Sequence, residues 1–563
     1  MATHQTPTVA RRRRLRSPWR HHSAWSVAAG LVALLVATPL LVVVSSIVTP
    51  SGDIWRHLWQ TQLLELLGNT LALIIGVGLG VTVMGTSLAW LVTMYRFPGR
   101  ALFEWLLILP LAMPAYVIGF VFLALFDYTG PVQYSLRQLF GAQIWFPDIA
   151  SYGGVVLVLT LVLYPYVYML ARTAFLEQSE TMLEAARVLG THRIAVFWKV
   201  VLPLARPSIV VGVTLALMEA LADFGTVAIF NYATFTRAIY RVWFGLFNRD
   251  AATELASLLV FFTITLYLLE RSQRGRARFY RTTGSIRPVI LRPLTGWRAW
   301  LASAVAGAVV GVAFILPVAQ LLIWTVETAE TLDYDARYPI FLFNTLTLAA
   351  TTAMVAVAAA VIVAYGARLS RSRLIGGFVR IASMGYALPG SVIAVGVLVP
   401  LAFLDRTLDT FLRANWGYSS GLLLTGSMVG LIFAYVVRFL AVSCHTVEAS
   451  LVKITPVMDM AARSLGATPW RLLRRIHAPL IRTGLTSAAI LVFVDVMKEM
   501  PATLLLRPFG YETLAIRVWQ LTSESLWELA ALPALTIVAA GMLPVLILTR
   551  SSMRPSQGKR PTV

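Results

Sequence analysis

Residues 71–94 read LALIIGVGLGVTVMGTSLAWLVTM, a run without a single charged side chain. Crossing the hydrocarbon core of a bilayer takes about 20 helical residues. No water is available there, so each backbone N–H and C=O must find its partner inside the segment, and a helix supplies them all. The run therefore predicts a spanning helix. Ala28–Val48 and Leu301–Val326 have the same character. Over all 563 residues, 58% are hydrophobic and only 13% charged, with mean hydropathy +0.75. A soluble protein of this length could not cover its surface with so few polar groups. The composition predicts an all-α polytopic membrane protein with about 12 transmembrane helices.

The spans fall at 24–49, 67–94, 101–126, 152–173, 203–231 and 252–270, then at 299–325, 341–367, 376–404, 419–443, 480–506 and 528–549. These give a basic tail over 1–23, a first transmembrane domain over 24–270, a linker over 271–298, a second over 299–550 and a tail over 551–563. The net charge of +21 comes almost entirely from arginine in the short segments between spans. Six arginines lie between positions 11 and 20, and Arg271, Arg274, Arg276, Arg278, Arg281, Arg287, Arg292 and Arg298 mark the linker. Arg550, Arg554, Lys559 and Arg560 follow the last span. This is the pattern that fixes orientation in a membrane. It predicts cytoplasmic termini and linker, hence an even number of crossings in each half. It also argues against a nucleic-acid role, because no basic face is assembled. Arg237, Arg241 and Arg249 break the pattern by falling outside; the two expectations for them are a place along a pathway or pairing with Asp250 and Glu254. Membrane lipid is the first partner implied. A cleavable leader is not expected, and Cys444 is the only cysteine, so no intrachain disulfide forms.

The two halves repeat. Asn69-Thr70-Leu71 returns as Asn344-Thr345-Leu346, Pro114 as Pro389, and Arg241-Val242-Trp243 as Arg517-Val518-Trp519. The most specific repeat lies between apolar spans. Glu184-Ala185-Ala186, then Gly190, then Val200-x-Leu202-Pro203 recurs as Met460-Ala461-Ala462, Gly466 and Ile476-x-Ala478-Pro479. Each reads as a short Ala-rich helix (Glu177–Val188 in the first half), a Gly-permitted change of direction, a second basic helix and a Pro opening the next span. Thr191 and Thr468 stand where caps are wanted. Small alanines admit a foreign backbone, and a charged rim orients it.

This duplicated elbow resembles the ATPase-coupling motif of permease subunits of binding-protein-dependent ABC importers. The fused pair of domains is most similar to ferric-iron transport permeases. The resemblance covers most of the chain and implies a bacterial inner-membrane translocation subunit. Its partners would be two copies of an ABC ATPase and an extracytoplasmic substrate-binding protein. On that resemblance the docking residues are Glu184, Ala185, Ala186, Gly190, Leu202 and Pro203, and in the second half Asp459, Ala461, Ala462, Gly466, Ile476 and Pro479. Met460 stands where the motif has Glu, with Asp459 adjacent, and Ala478 where it has Leu, so the two docks need not be equivalent. The chain has no phosphate-binding G-x-x-x-x-G-K-[ST]. It is not expected to be an enzyme or to bind a cofactor; ATP and magnesium would be used by the partner ATPase.

Carboxylates inside spans are costly and point to function by default. Glu219 and Asp223 lie four apart in the fifth span, and Asp495 and Glu499 repeat them in the eleventh. Four residues make about one helical turn, so each pair is expected to share a face, lining a pathway for a cation. Hard oxygen donors suit ferric iron, yet equally accommodate thiamine, a polyamine or another small cation. Structural roles are open too: Lys498 can neutralise Asp495 or Glu499, and Asp223 can cap backbone near Gly225. Tyr164, Tyr166, Tyr168 and Tyr435 could serve as iron ligands but read first as packing or interfacial residues. No metal site is assigned. An ion-coupled secondary transporter is the competing class; its acids would bind protons or sodium, but it needs no elbows.

Overall fold

The computed structural model describes residues 24–46, 52–176, 193–277, 291–331, 335–369, 377, 384–452 and 454–552. The chain is a bundle of helices; among the described residues 11 are long and apolar enough to cross a membrane, or 12 when the bent pair Pro469–Leu480 and Arg482–Met497 is taken as one span. The principal helices are α1 (Ala24–Ser45), α2 (Leu63–Met94), α3 (Ala115–Phe126), α4 (Tyr152–Leu176), α5 (Leu202–Ala222) and α6 (Arg249–Ala277). The second half supplies α7 (Trp297–Val310), α8 (Leu316–Thr331), α9 (Tyr338–Leu369), α10 (Gly390–Trp416), α11 (Met428–Leu451), α12 (Pro456–Ser464), α13 (Pro469–Leu472), α14 (Arg482–Met497) and α15 (Trp527–Ser552). Two short bridges, β1 (Tyr95–Arg96) and β2 (Arg292–Pro293), pair in parallel. They tie the end of the linker to the turn between the second and third spans.

Apolar burial does not by itself hold helices together in lipid; close packing of small residues does. On α9, Ala349, Ala353, Ala356 and Ala360 recur at helical spacing and are all buried, and α9 packs on α1, α11 and α14. The first helix of the chain thus packs on the second half. The converse holds for α8, which packs on α3, and the buried cluster around α2–α5 takes in Phe314, Leu321 and Trp324. Each hydrophobic core therefore mixes segments from both halves of the sequence.

Three expected spans are interrupted. The stretch 101–126 is a short helix Arg100–Leu106, a 3-10 turn Leu109–Ala112 and then α3. Pro110 lacks an N–H and Pro114 holds an extended backbone, so the helix cannot continue through them. Spans 203–231 and 480–506 break after Ala222 and Met497. Two others are displaced along the sequence: α10 and α11 replace 376–404 and 419–443. Asp405, fully buried, accepts from the backbone N–H of Leu424 (2.9 Å) and Thr425 (2.8 Å), which lets α10 run on past its apolar stretch.

Pro203 and Pro479 do not open fresh helices as the sequence suggested. Each sits just after a single widened π turn, Phe197–Val201 and Leu473–His477, that continues the preceding helix. The extra residue in the turn absorbs the hydrogen bond that proline cannot make. The two turns are spaced 473 − 197 = 276 residues, the repeat distance itself.

Candidate functional site

The paired breaks in α5 and α14 bring the intramembrane acids together. After Ala222 the chain turns extended at Asp223 and restarts as the helix Gly225–Ile229. Asp223 caps that restart: Oδ1 accepts from the Thr226 hydroxyl (2.9 Å) and Oδ2 from the Val227 N–H (3.1 Å). After Met497, Glu499 performs the parallel task for the helix Pro501–Leu506, its Oε1 accepting from the Ala502 N–H at 3.3 Å. Only there does a cation join. Arg438 of α11, itself buried, donates to the same Oε1 at 3.1 Å, and Lys498 pairs with Asp495 at 2.9 Å. A Cβ at Gly225 would lie 2.6 Å from Tyr116 Cβ, so that approach requires glycine, and one at Gly390 would displace the Glu499 and Arg438 side-chain ends, at 2.3 Å and 2.4 Å.

The expected shared helical faces are therefore not what assembles these groups. Asp223 and Glu499 lie beyond the ends of their helices. Glu219, Asp223 and Glu499 nonetheless line one cavity of about 110 Å³ between the halves, together with Tyr116, Tyr166, Arg438 and Lys498. Asp495 lines a neighbouring cavity of about 180 Å³ that shares Tyr166 and Lys498 with the first and adds Tyr386. Three of the four tyrosines singled out from sequence are engaged elsewhere: Tyr164 donates to Leu107 O, Tyr168 to Glu104 O, and Tyr435 bonds Thr503. Tyr166 alone among them lines the two cavities. Arg438 was missed, although an arginine inside the apolar run from Leu431 to Cys444 is itself a signal. Tyr116 carried no such signal.

The arginines that disturbed the charge pattern find local partners. Arg237 donates to Asn231, and Arg249 lies over the Trp243 ring at 5.7 Å. Arg517, the repeat counterpart of Arg241, pairs with Asp335 at 2.8 Å.

The backbone of the second elbow is described from Pro456 to Leu480; Glu184, Ala185, Ala186 and Gly190 of the first, with its helix 177–188 and Thr191, lie outside the described residues. Helix α12 ends at Ser464, Gly466 takes a left-handed φ of 76°, and the Thr468 hydroxyl accepts from the Arg471 N–H to cap α13 at Pro469. Asp459 does not face outward as a docking charge. Its Oδ2 accepts from Arg368 (3.0 Å) and its Oδ1 contacts His477 Nε2 (2.8 Å). Arg368 also donates to the carbonyls of Leu451 and Ile454, and the Tyr365 hydroxyl to that of Pro469. Partial burial opposes ionisation of Asp459, but the hydrogen bonds from Arg368 and His477 outweigh it and hold the carboxyl below its usual range. The elbow is thereby fastened to the ends of α9 and α11. Ala462 is buried against the chain itself, whereas Ala461, Met460, Val457 and Leu465 are exposed, the last at 86%. Ile476 is half-buried and Pro479 exposed; in the first half, Leu202 is half-buried and Pro203 exposed.

An apolar, exposed elbow at one end and a polar cavity between swapped halves are a transporter's parts. Residues 81–269 match the family described as binding-protein-dependent transport system inner membrane component. The chain is 33% identical over 214 residues to a molybdenum transport system permease protein of Escherichia coli, covering 38% of this chain and 89% of that protein. The chain belongs to this permease family. Along nearly its whole length the permease is also similar to an Fe(3+)-transport system permease protein of Haemophilus influenzae, at 28% identity over 502 residues, 88% of this chain and 92% of the other. A sulfate transport system permease protein of Salmonella typhimurium is 28% identical over 267 residues, 46% of this chain and 94% of its own. Membership makes the permease a multi-pass inner-membrane transport component rather than an ATPase, and implies a substrate-binding protein and an ATPase as partners.

Proposed function

We propose that the permease is the translocation subunit of an ATP-driven importer for ferric iron. What carries this reading is the extent of similarity: the Fe(3+) permease aligns through both halves, whereas the molybdenum and sulfate permeases align with about one. The domains would be 24–270 and 299–550, joined by the linker 271–298, with the termini, linker and both elbows in the cytoplasm. Each elbow would receive one of two ATPase copies. Exposed Val457, Met460, Ala461 and Leu465 give the second dock an apolar surface, and Glu184, Ala185, Ala186, Gly190, Leu202 and Pro203 would form the first. ATP-driven closure would move the elbows, and the Asp459–Arg368–His477 clasp would pass that displacement to α9 and α14. This is a shift between two populated states biased by nucleotide. The acids Glu219, Asp223, Asp495 and Glu499 would border the path.

Arg438 and Lys498 favour a second reading, an oxyanion cargo. Both, however, are already paired with carboxylates, and the four acids Glu219, Asp223, Asp495 and Glu499 of the two adjoining cavities outnumber these two cations.

Proteoliposomes holding the permease and its partner ABC ATPase, with the matching binding protein supplied outside, test the assignment. ATP-dependent accumulation of ferric iron is expected. Accumulation of molybdate or sulfate without iron would refute the cargo. Uptake driven by an ion gradient without ATPase would refute the class.

A further inference from the structure

The cavity between the halves contains a polar atom that the fold does not use. Tyr116 is 6% exposed, and its hydroxyl has no hydrogen-bond partner although it lines the same cavity as Glu219. Leaving a buried hydroxyl unpaired costs about 1–3 kcal/mol. Phenylalanine would fill the same volume without that cost, so packing does not account for the hydroxyl.

The charges around it are also unequal. Arg438 answers Glu499, Lys498 answers Asp495, and Asp223 is held by two donors of its own segment. Glu219 makes no ion pair among the described residues, and the nearest groups to it include the phenols of Tyr166 and Tyr386. A carboxylate that has no direct ion pair and accepts from the Tyr386 phenol, in a space with room for an ion and on the order of a few waters, makes with the phenols of Tyr116 and Tyr166 a set of hard oxygen donors. Such donors select a small, highly charged cation over a soft one.

We propose that Glu219, Tyr116 and Tyr166 form a transient coordination site for a trivalent cation midway along the permease. This rests on the ferric reading for its cargo, but not for its donors. Ligation of a phenol releases its proton to cavity water; no electron moves. Arg438 and Lys498 then serve to cancel Glu499 and Asp495, leaving a site weak enough to release the ion onward.

The test uses the full-length permease in lipid nanodiscs with ferric nitrilotriacetate as probe, and the reconstituted importer for uptake. Wild type should develop a visible phenolate-to-iron charge-transfer band, diminished in Tyr116→Phe and in Tyr166→Phe. ATP-dependent ferric uptake should fall by about tenfold or more in Tyr116→Phe and Glu219→Gln, while the thermal midpoint of Tyr116→Phe stays equal or rises. Wild-type uptake in both variants, with no band in the parent, overturns the site and leaves the ferric assignment standing. Loss of uptake without any band makes the hydroxyl a hydrogen-bonding group and overturns it as a ligand. An importer that moves molybdate and no iron removes the cargo assignment itself.

Discussion

The two breaks are repeats of one device that have diverged in charge. In the first half, Glu219 and Asp223 face a cavity with no cation of their own half beside them. In the second, Lys498 stands at the position of Ala222 (498 − 276 = 222), and Arg438 at that of Val162 (438 − 276 = 162). The elbows diverge similarly. Arg368, Asp459 and His477 clasp the second, whereas the repeat offset of 275 or 276 puts Thr93, Leu183 and Val201 at those places in the first. Duplication supplied two equivalent frameworks. The second half carries the added charge, which fastens its elbow and pairs its acids; on the proposed reading the first half is left to meet the cargo.

The largest effect should come from stripping the second half of its buried cation. Arg438→Ala leaves Glu499 charged, unpaired and 6% exposed, which typically costs about 3–5 kcal/mol. Thermal unfolding in nanodiscs should show a large drop, and adding Glu499→Gln should recover much of it. Independent, additive losses in the double variant would mean that the pair is not the unit described. The counterpart change Val162→Ala only trims an apolar side chain and should cost about 1 kcal/mol.

The elbow clasp comes next. Asp459→Asn retains the shape but removes the charge that accepts from Arg368 and His477, an expected loss of about 1–2 kcal/mol for a partly solvated set of bonds. Its pH dependence has a definite sign. The folded carboxyl is held below its ordinary value, so its contribution is complete above the unfolded value of about 3.9 and disappears as pH falls through the depressed folded one. The difference in thermal midpoint between parent and Asp459→Asn should therefore be flat at neutral pH and shrink only in acid. A gap that closed instead near neutrality would place the titrating group elsewhere.

Much of this was legible in the sequence. Long uncharged runs settle the class, because lipid leaves the backbone no alternative to a helix. The fixed offset of the elbows exposed the duplication. The breaks were harder to foresee, since Asp223 and Glu499 look like residues of a continuous helix until their side chains are seen capping the restart. A four-residue spacing could not distinguish a shared face from a cap. Nor could it reveal partners far along the chain, such as Arg438, 61 residues from Glu499, or Arg368, 91 from Asp459. Spacing reports neighbours within an element; contacts between elements are set by packing. The orphan hydroxyl of Tyr116 was beyond reach for the same reason.

Asp223→Ala tests whether the cap alone explains that acid in the half without cations. Losing the bonds to Thr226 and Val227 should cost about 1 kcal/mol, and Asp223→Asn should restore most of it, because an amide oxygen can still accept. Ferric uptake tracking stability across both variants would confine Asp223 to a structural role. Uptake lost in Asp223→Asn at near-normal stability would add it to the ion's path, and so widen the difference between the halves.

The smallest change in stability, and the sharpest functional contrast, lies at the repeat position where one half has Lys498 and the other Ala222. Lys498 is one-third exposed, toward the cavities it lines, and so is its partner Asp495 in part. Lys498→Ala should thus cost no more than about 1 kcal/mol while leaving a second carboxylate uncompensated. Ala222→Lys performs the opposite experiment, setting a cation in the cavity beside Glu219 and Asp223. If the open acid of the first half is what receives a cation, Ala222→Lys should suppress ferric uptake and Lys498→Ala should slow release more than entry. Equal, mild effects of the two would show the halves to be interchangeable, and the divergence in charge between them to be without consequence for transport.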